Sequence, residues 1–202
     1  MTTKTARNAT SVRITDELAS RWSPRGFDAD YALTREEVRA LGEAARWAPS
    51  AANTQPTHFI VAVRGTETFD RIHEHLLDFN KAWTPRASAL LVAVAETSRD
   101  GKPLRWAEYD LGQAVAHLSI EAEARGLNVR QMGGIDVEGI RKAFDLAENF
   151  VPVTAIAIGR YDASEAVPAE TRERDTAARG RRSIEEISLV LDLGDLGDLE
   201  TE

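Results

Sequence analysis

Pro49-Ser50-Ala51-Ala52-Asn53-Thr54-Gln55-Pro56 closes a helical pattern and opens a strand pattern. Between its two prolines it holds only small residues, hydroxyls and two side-chain amides. Such a loop lets backbone and short polar groups come close to something flat or charged, and it reads equally as an ordinary helix-to-strand turn. Before it, Thr34-Arg35-Glu36-Glu37 is a capping box, and Val38, Leu41, Ala45 and Ala48 form one helical stripe that Pro49 ends. After it, His58 to Val63 is apolar and β-branched, the pattern of a buried strand.

Working outward, Thr15 caps a short helix through Ser20, with Leu18 and Trp22 as inward contacts, and Pro24 and Gly26 break regular structure. Thr66 opens a helical stretch through Leu77. Ser88 to Ala95, nearly all Ala, Leu and Val after Pro85, reads as a central strand. Ala107 to Arg125 is the longest helical pattern, with Leu111, Ala114, Val115, Leu118 and Ala122 on one face and Gly126 at its end. A strand over Leu127–Met132, a Gly133-Gly134 turn, a helix capped by Asp136 to about Leu146 and a strand over Val151–Ile158 follow. Residues 160–178 are polar and read as a long connection. Ser183 to Leu193 is apolar again, a helical turn and an extended arm. These patterns predict one domain over 14–193, between a flexible arm at 1–13 and an acidic tail at 194–202. Helices and strands mixed in this order give an α+β or α/β sandwich around one sheet.

Composition removes several functions. There is no cysteine among the 202 residues, so disulfides, thiolate metal sites, iron–sulfur clusters and a cysteine nucleophile are excluded. His73 and His75 face different ways on a helix and read as a solvated pair rather than metal ligands. A net charge of −8 argues against nucleic acid as a partner. No apolar run approaches the ~20 residues of a membrane span, and Met1–Asn8 lacks the apolar segment of a secretory signal, so no membrane partner and a cytoplasmic location are expected. The G-x-G-x-x-G, Walker, H-E-x-x-H and G-x-S-x-G patterns are missing.

Four segments carry possible chemistry. In Arg21-Trp22-Ser23-Pro24-Arg25-Gly26-Phe27-Asp28, two guanidiniums and a hydroxyl lie within five residues. They suit a phosphate, or a solvated helix end. Asn80-Lys81-Ala82-Trp83 precedes the central strand. Gly126-Leu127-Asn128-Val129-Arg130-Gln131-Met132-Gly133-Gly134-Ile135-Asp136 ends in glycines that let backbone approach a planar ring, and also in a good helix cap. Arg179-Gly180-Arg181-Arg182 follows acidic residues and reads as a solvated loop or a local anion site.

R-x-S-x-R-x-F-D together with P-S-x-x-N-x-Q-P resembles the start of the nitroreductase family, FMN-dependent dimeric flavoproteins. The G-L-x-x-x-Q-M-G-G-x-D and R-x-R segments resemble later parts of it. Thr57 and Arg130 stand where the family commonly has tryptophan and histidine, and Ser183-Ile184 where it has proline and leucine. The resemblance implies an α+β sandwich with a mainly antiparallel central sheet flanked by helices, and a homodimer exchanging C-terminal arms, with its flavins at the interface. It implies that Arg21, Ser23 and Arg25 hold the FMN phosphate and part of the ring edge, with Trp22 packing beside them. Pro49, Ser50, Ala51 and Asn53 would border the flavin of the other subunit, and Asn80 would meet a flavin's pyrimidine edge. Main-chain N–H groups around Gln131, Met132, Gly133 and Gly134 would face N5 and N1. Arg179 and Arg181 would return to the phosphate, with Arg182 in reserve. The activity implied is ping-pong transfer from NADH or NADPH through FMN to a small organic acceptor, without a catalytic side chain. Dehalogenation, enone reduction, heterocycle dehydrogenation, flavin degradation and a low-turnover flavin carrier or redox sensor share these features.

Overall fold

The computed structural model describes residues 7–194. Residues 1–6, the start of the expected arm, and 195–202, most of the expected tail, lie outside them. In chain order the elements are α1 (Asp16–Ser20), α2 (Arg35–Arg46), β1 (Thr57–Val63), α3 (Glu67–Glu74), α4 (Asp78–Lys81), β2 (Ala89–Glu96), β3 (Ser98–Arg99) and β4 (Lys102–Pro103). Then come α5 (Ala107–Ala124), β5 (Asn128–Met132), α6 (Val137–Ala143), β6 (Phe150–Gly159), α7 (Ala169–Thr176) and α8 (Ile184–Ile187).

The sheet runs β1-β2-β6-β5, and every pairing is antiparallel. Every residue of β2 is buried, as expected of an uninterrupted Ala/Leu/Val run in a central strand. Its side chains alternate. Leu91, Ala93 and Ala95 face α2 and α5 with Leu41, Leu111, Leu118 and Ile156. Leu90, Val92 and Val94 face the α3 and α6 layer with Phe69, Ile72, Trp83 and Ile140. Helices therefore cover both faces of an antiparallel sheet, the α+β sandwich expected from the sequence. The β2–β6 register shifts between Ala93 and Val94, opposite Thr154 and Pro152. β5 ends at Met132 opposite Ala155, so Pro152 sits beyond its reach, where the missing N–H breaks no β5 bond.

The capping box at Thr34 and Glu37 forms as the sequence predicts. Four details differ. Leu18 is 41% exposed rather than inward, because α1 is five residues long and packs through Ser20 and the following Trp22. The connection over 160–178 contains α7, a charged helix that docks through buried Asp175 instead of an apolar stripe. The β3–β4 hairpin is too short and polar to signal itself. His73 and His75 are half-buried, His73 against the Lys81 carbonyl at 3.2 Å and His75 beside Asp136 at 3.7 Å. Among the described residues no helix is long and apolar enough to cross a membrane, and no group of His, Asp and Glu could hold a metal.

Candidate functional site

The chain after α1 runs to the end of β6. There Phe27 bridges Tyr161, and Asp28 N–H donates to the Arg160 carbonyl at 2.9 Å. This pairing fixes residues 21–27 beside the β5 edge of the sheet. Asp175 of α7 reinforces it. Its carboxylate accepts from the Arg25 N–H at 3.0 and 2.8 Å and from the Gly26 N–H at 2.7 Å. Gly26 is obligatory, since a Cβ there would stand 2.9 Å from the Asp162 carbonyl and 3.4 Å from Asp175 Oδ2. From β5, Arg130 Nη1 donates to the Ser23 carbonyl at 2.6 Å.

These elements enclose a cleft of about 250 Å³ lined by Arg21, Ser23, Arg25, Arg130, Arg179 and Arg181. Asp175 also lines it but is engaged by backbone N–H groups, and Arg174, another lining residue, is paired with Glu170 at 2.7 Å. A chain of net charge −8 thus gathers cations at one place. Burial, then the charges of Arg181, Arg21 and Arg7, pushes the Arg179 guanidinium below the usual arginine value. That like-charge crowding favours an anion. Arg179 and Arg181 come from far along the sequence to join Arg21, Ser23 and Arg25; Arg182 is not among the lining residues. Trp22 is buried at the cleft's back, edge-on to Tyr161 at 4.7 Å, with the Arg7 guanidinium 4.2 Å from its ring centre.

Asn80 and the glycine turn meet one another. Buried Asn80 donates Nδ2 to the Gly134 carbonyl at 3.1 Å, and Leu77 N–H donates to the same oxygen at 3.0 Å. A Cβ on Gly134 would lie 2.6 Å from Phe79 Cζ and 2.9 Å from Asn80 Nδ2, so a side chain there would displace both. Met132 is buried against Ala155, while Gln131 and Gly133 are exposed. The N–H groups of Gly133 and Gly134 donate no hydrogen bond among the described residues.

Pro49, Ser50, Ala51 and Asn53 lie elsewhere, at the start of β1, the sheet edge opposite β5. A 3-10 turn spans Ala51–Asn53, and Ala52, Asn53 and Gln55 have φ of 51°, 55° and 49°. Such left-handed residues are uncommon in L-amino acids. Buried Asp110 of α5 accepts the Ala51 N–H at 3.0 Å, and the Gln55 N–H donates to Ser50 Oγ at 3.0 Å. An apolar recess of about 350 Å³ opens beside the loop between Trp106 and Tyr109.

Sequence reasoning gave no role to Asp110 or Asp175, and it marked Arg130 only as a departure from the family's histidine. Asp110 carried a signal, for a carboxylate four residues before Ala114 and eight before Leu118 interrupts an apolar stripe. Asp175 carried none, hidden in a charged run.

A family model described as Nitroreductase family matches residues 18–93 and 78–160. An uncharacterized 15.4 kDa protein of Mycolicibacterium smegmatis is 33% identical over 140 residues, covering 65% of this chain and 94% of that protein. An oxygen-insensitive NADPH nitroreductase of Helicobacter acinonychis is 40% identical over 75 residues, 37% of this chain and 35% of that enzyme. A crystal structure described as an oxidoreductase containing FMN superposes with a TM-score of 0.86 at 27% identity, covering 94% of this chain and 98% of that one.

Proposed function

Because the chain belongs to the nitroreductase family, we propose that it is an FMN-dependent oxidoreductase that uses NADH or NADPH to reduce a small organic acceptor such as a nitroaromatic or quinone. The observation that carries this reading is the arginine cleft, built in an acidic chain beside a glycine turn with free N–H donors. The residues fit FMN. A dianionic phosphate matches Arg21, Ser23, Arg25, Arg179 and Arg181, and the crowded guanidiniums gain a counter-charge. When bound, FMN supplies two-electron chemistry between nicotinamide and acceptor in two half-reactions.

The chain's own part is positioning. Asn80 spends its amide N–H on Gly134, which leaves its side-chain oxygen for a ring N–H. The N–H groups of Gly133 and Gly134, which have no acceptor among the described residues, would serve as donors to the edge of the bound ring. No side chain is needed as nucleophile, and a proton can come from solvent.

The loop over 49–53 is assigned to the flavin of a second subunit. Four strands ~4.8 Å apart separate the β1 and β5 edges by roughly 14 Å, so one ring stacked at β5 does not reach the loop of its own chain. The exposed apolar arm over 187–193, in which Leu189 is 102% exposed, supports arm exchange in a homodimer.

The test is an absorption spectrum of the purified protein, identification of the released chromophore, and NADH or NADPH oxidation with quinone and nitroaromatic acceptors. Flavin bands, released FMN and acceptor-dependent turnover are expected. A colourless protein that fails to take up added FMN would overturn the reading.

A further inference from the structure

Among the described residues only two buried side-chain nitrogens have no hydrogen-bond partner, Arg130 Nε and Trp83 Nε1. They belong to one pair of side chains, for the Arg130 guanidinium lies over the Trp83 ring, 5.6 Å from its centre. Both are obligate donors. Two buried donors on side chains packed together are thus left without an acceptor, and an unsatisfied buried N–H is costly.

Arg130 is also oddly placed for a structural residue. It stands opposite Ala157 on the face of β5 that bears Met132, where the neighbouring strands present Leu90 and Ala62 to the apolar layer. Among the described residues no carboxylate forms an ion pair with it: Asp175 is engaged by the backbone of Arg25 and Gly26 and by the Arg25 guanidinium at 3.8 Å. Burial and the like charge of Arg25 lower the Arg130 pKa, and the charge of Asp175 opposes them only in part. Yet Arg130 lines the same cleft as Arg21, Ser23 and Arg25.

We propose that Arg130 is a ligand-contacting residue of this cleft: Nη1 holds the Ser23 carbonyl, and the rest of the guanidinium donates to a phosphoryl oxygen. Trp83 is its platform. The inference deepens the FMN reading and rests on it, and it assigns Arg130 a part in selecting the phosphorylated flavin over its phosphate-free analogue.

The experiment compares the wild type with Arg130→Met, which keeps much of the stem and removes the charge, and Arg130→Lys, which keeps the charge without the planar fork. Binding of FMN and of riboflavin is followed by flavin fluorescence, and melting temperature is measured with and without inorganic phosphate. The expected result is a ten- to hundredfold loss of FMN affinity in Arg130→Met, unchanged riboflavin affinity, a smaller loss in Arg130→Lys, and loss of the melting shift caused by phosphate. Equal weakening for FMN and riboflavin, or a melting shift by phosphate that survives Arg130→Met, would reduce Arg130 to a brace for the Ser23 backbone and overturn the proposal. If the wild type binds neither flavin, the FMN reading fails, and the phosphate shift alone decides whether Arg130 binds an anion.

Discussion

Ala52 shows what the loop between Pro49 and Pro56 costs. Its φ of 51° puts Cβ against the carbonyl that follows, worth about 1–2 kcal/mol for a residue other than glycine. Asn53 and Gln55 are left-handed too, and asparagine tolerates this conformation best. The strain survives because Asp110 and Ser50 fix the neighbouring N–H groups. Clustered strain of this kind is a feature of ligand sites. Ala52→Gly is expected to be neutral or stabilising by up to about 1 kcal/mol, since relief of the clash exceeds the added chain entropy. Ala52→Val is expected to destabilise by about 1–3 kcal/mol. Urea unfolding of the two variants checks the sign, and a stabilised valine variant would show that the loop relaxes. At this scale much was legible in the sequence. The closeness of Arg21, Ser23 and Arg25 is readable in local spacing, whereas their phosphate role comes from the resemblance. The part of Arg130 was not legible, because only its neighbours in space reveal a guanidinium with an idle donor.

The elements decide how the loops are held, and two clasps carry the load. One is α7, which shows no apolar stripe and docks through Asp175. Asp175→Ala strips the Arg25 and Gly26 N–H groups of their acceptor, and each buried orphan costs about 1–3 kcal/mol. Stability should fall by about 2–4 kcal/mol, and FMN affinity should fall with it as Arg25 loses its anchor; calorimetry and flavin titration check both. An unchanged melting temperature would mean that α7 is dispensable. The other clasp is Glu96 at the end of β2. It accepts from Arg99 Nε at 3.0 Å and also pairs with Arg99 Nη2, while Arg99 Nη1 donates to the Thr54 carbonyl at 3.0 Å. The hydrogen bonds from Arg99, assisted by His58 and opposed by burial, hold the Glu96 carboxyl below its ordinary value of 4.5. A depressed carboxylate adds stability above its unfolded value and loses it as pH falls through the folded one. The Thr54 end of the loop should therefore loosen below about pH 4.5, and Glu96→Gln should flatten that part of the acid transition in a pH series of unfolding curves. An identical acid limb in both proteins would remove Glu96 from the account. The strands were legible because apolar runs report burial directly. The helix α7 and the β3–β4 hairpin were not, because their stability comes from polar contacts with distant segments, and spacing along the chain carries no trace of those.

Over the whole molecule the sheet separates two sets of residues that one ligand is proposed to bring together. The arginine cleft and the Gly133-Gly134 turn sit at the β5 edge, and the Pro49 loop leads into β1 at the other. Register adds to the separation. Arg130 lies in one row with Ala157, Leu90 and Ala62, whereas the loop joins β1 at Thr57, five residues away along the strand. At ~3.3 Å per residue along a strand and ~4.8 Å between strands, the diagonal is roughly 20 Å. On the proposed reading a flavin contacted by both sets takes them from different subunits, so function and assembly become one question. Arg25→Ala, losing a charge-assisted contact of about 1.5–3 kcal/mol, should raise the FMN dissociation constant on the order of ten- to hundredfold. Asn53→Gly removes the loop amide while tolerating the left-handed backbone at φ 55°, and should also weaken binding. Neither variant alone should fill its sites at an FMN concentration that just saturates the wild type. Mixed by unfolding and refolding together, they should form heterodimers in which one site carries both substitutions and the other carries neither. Random pairing then restores about a quarter of all sites to full affinity. If the two residues served one site within a chain, mixing would restore none, and the fraction recovered in a flavin titration of the mixed sample separates the two arrangements.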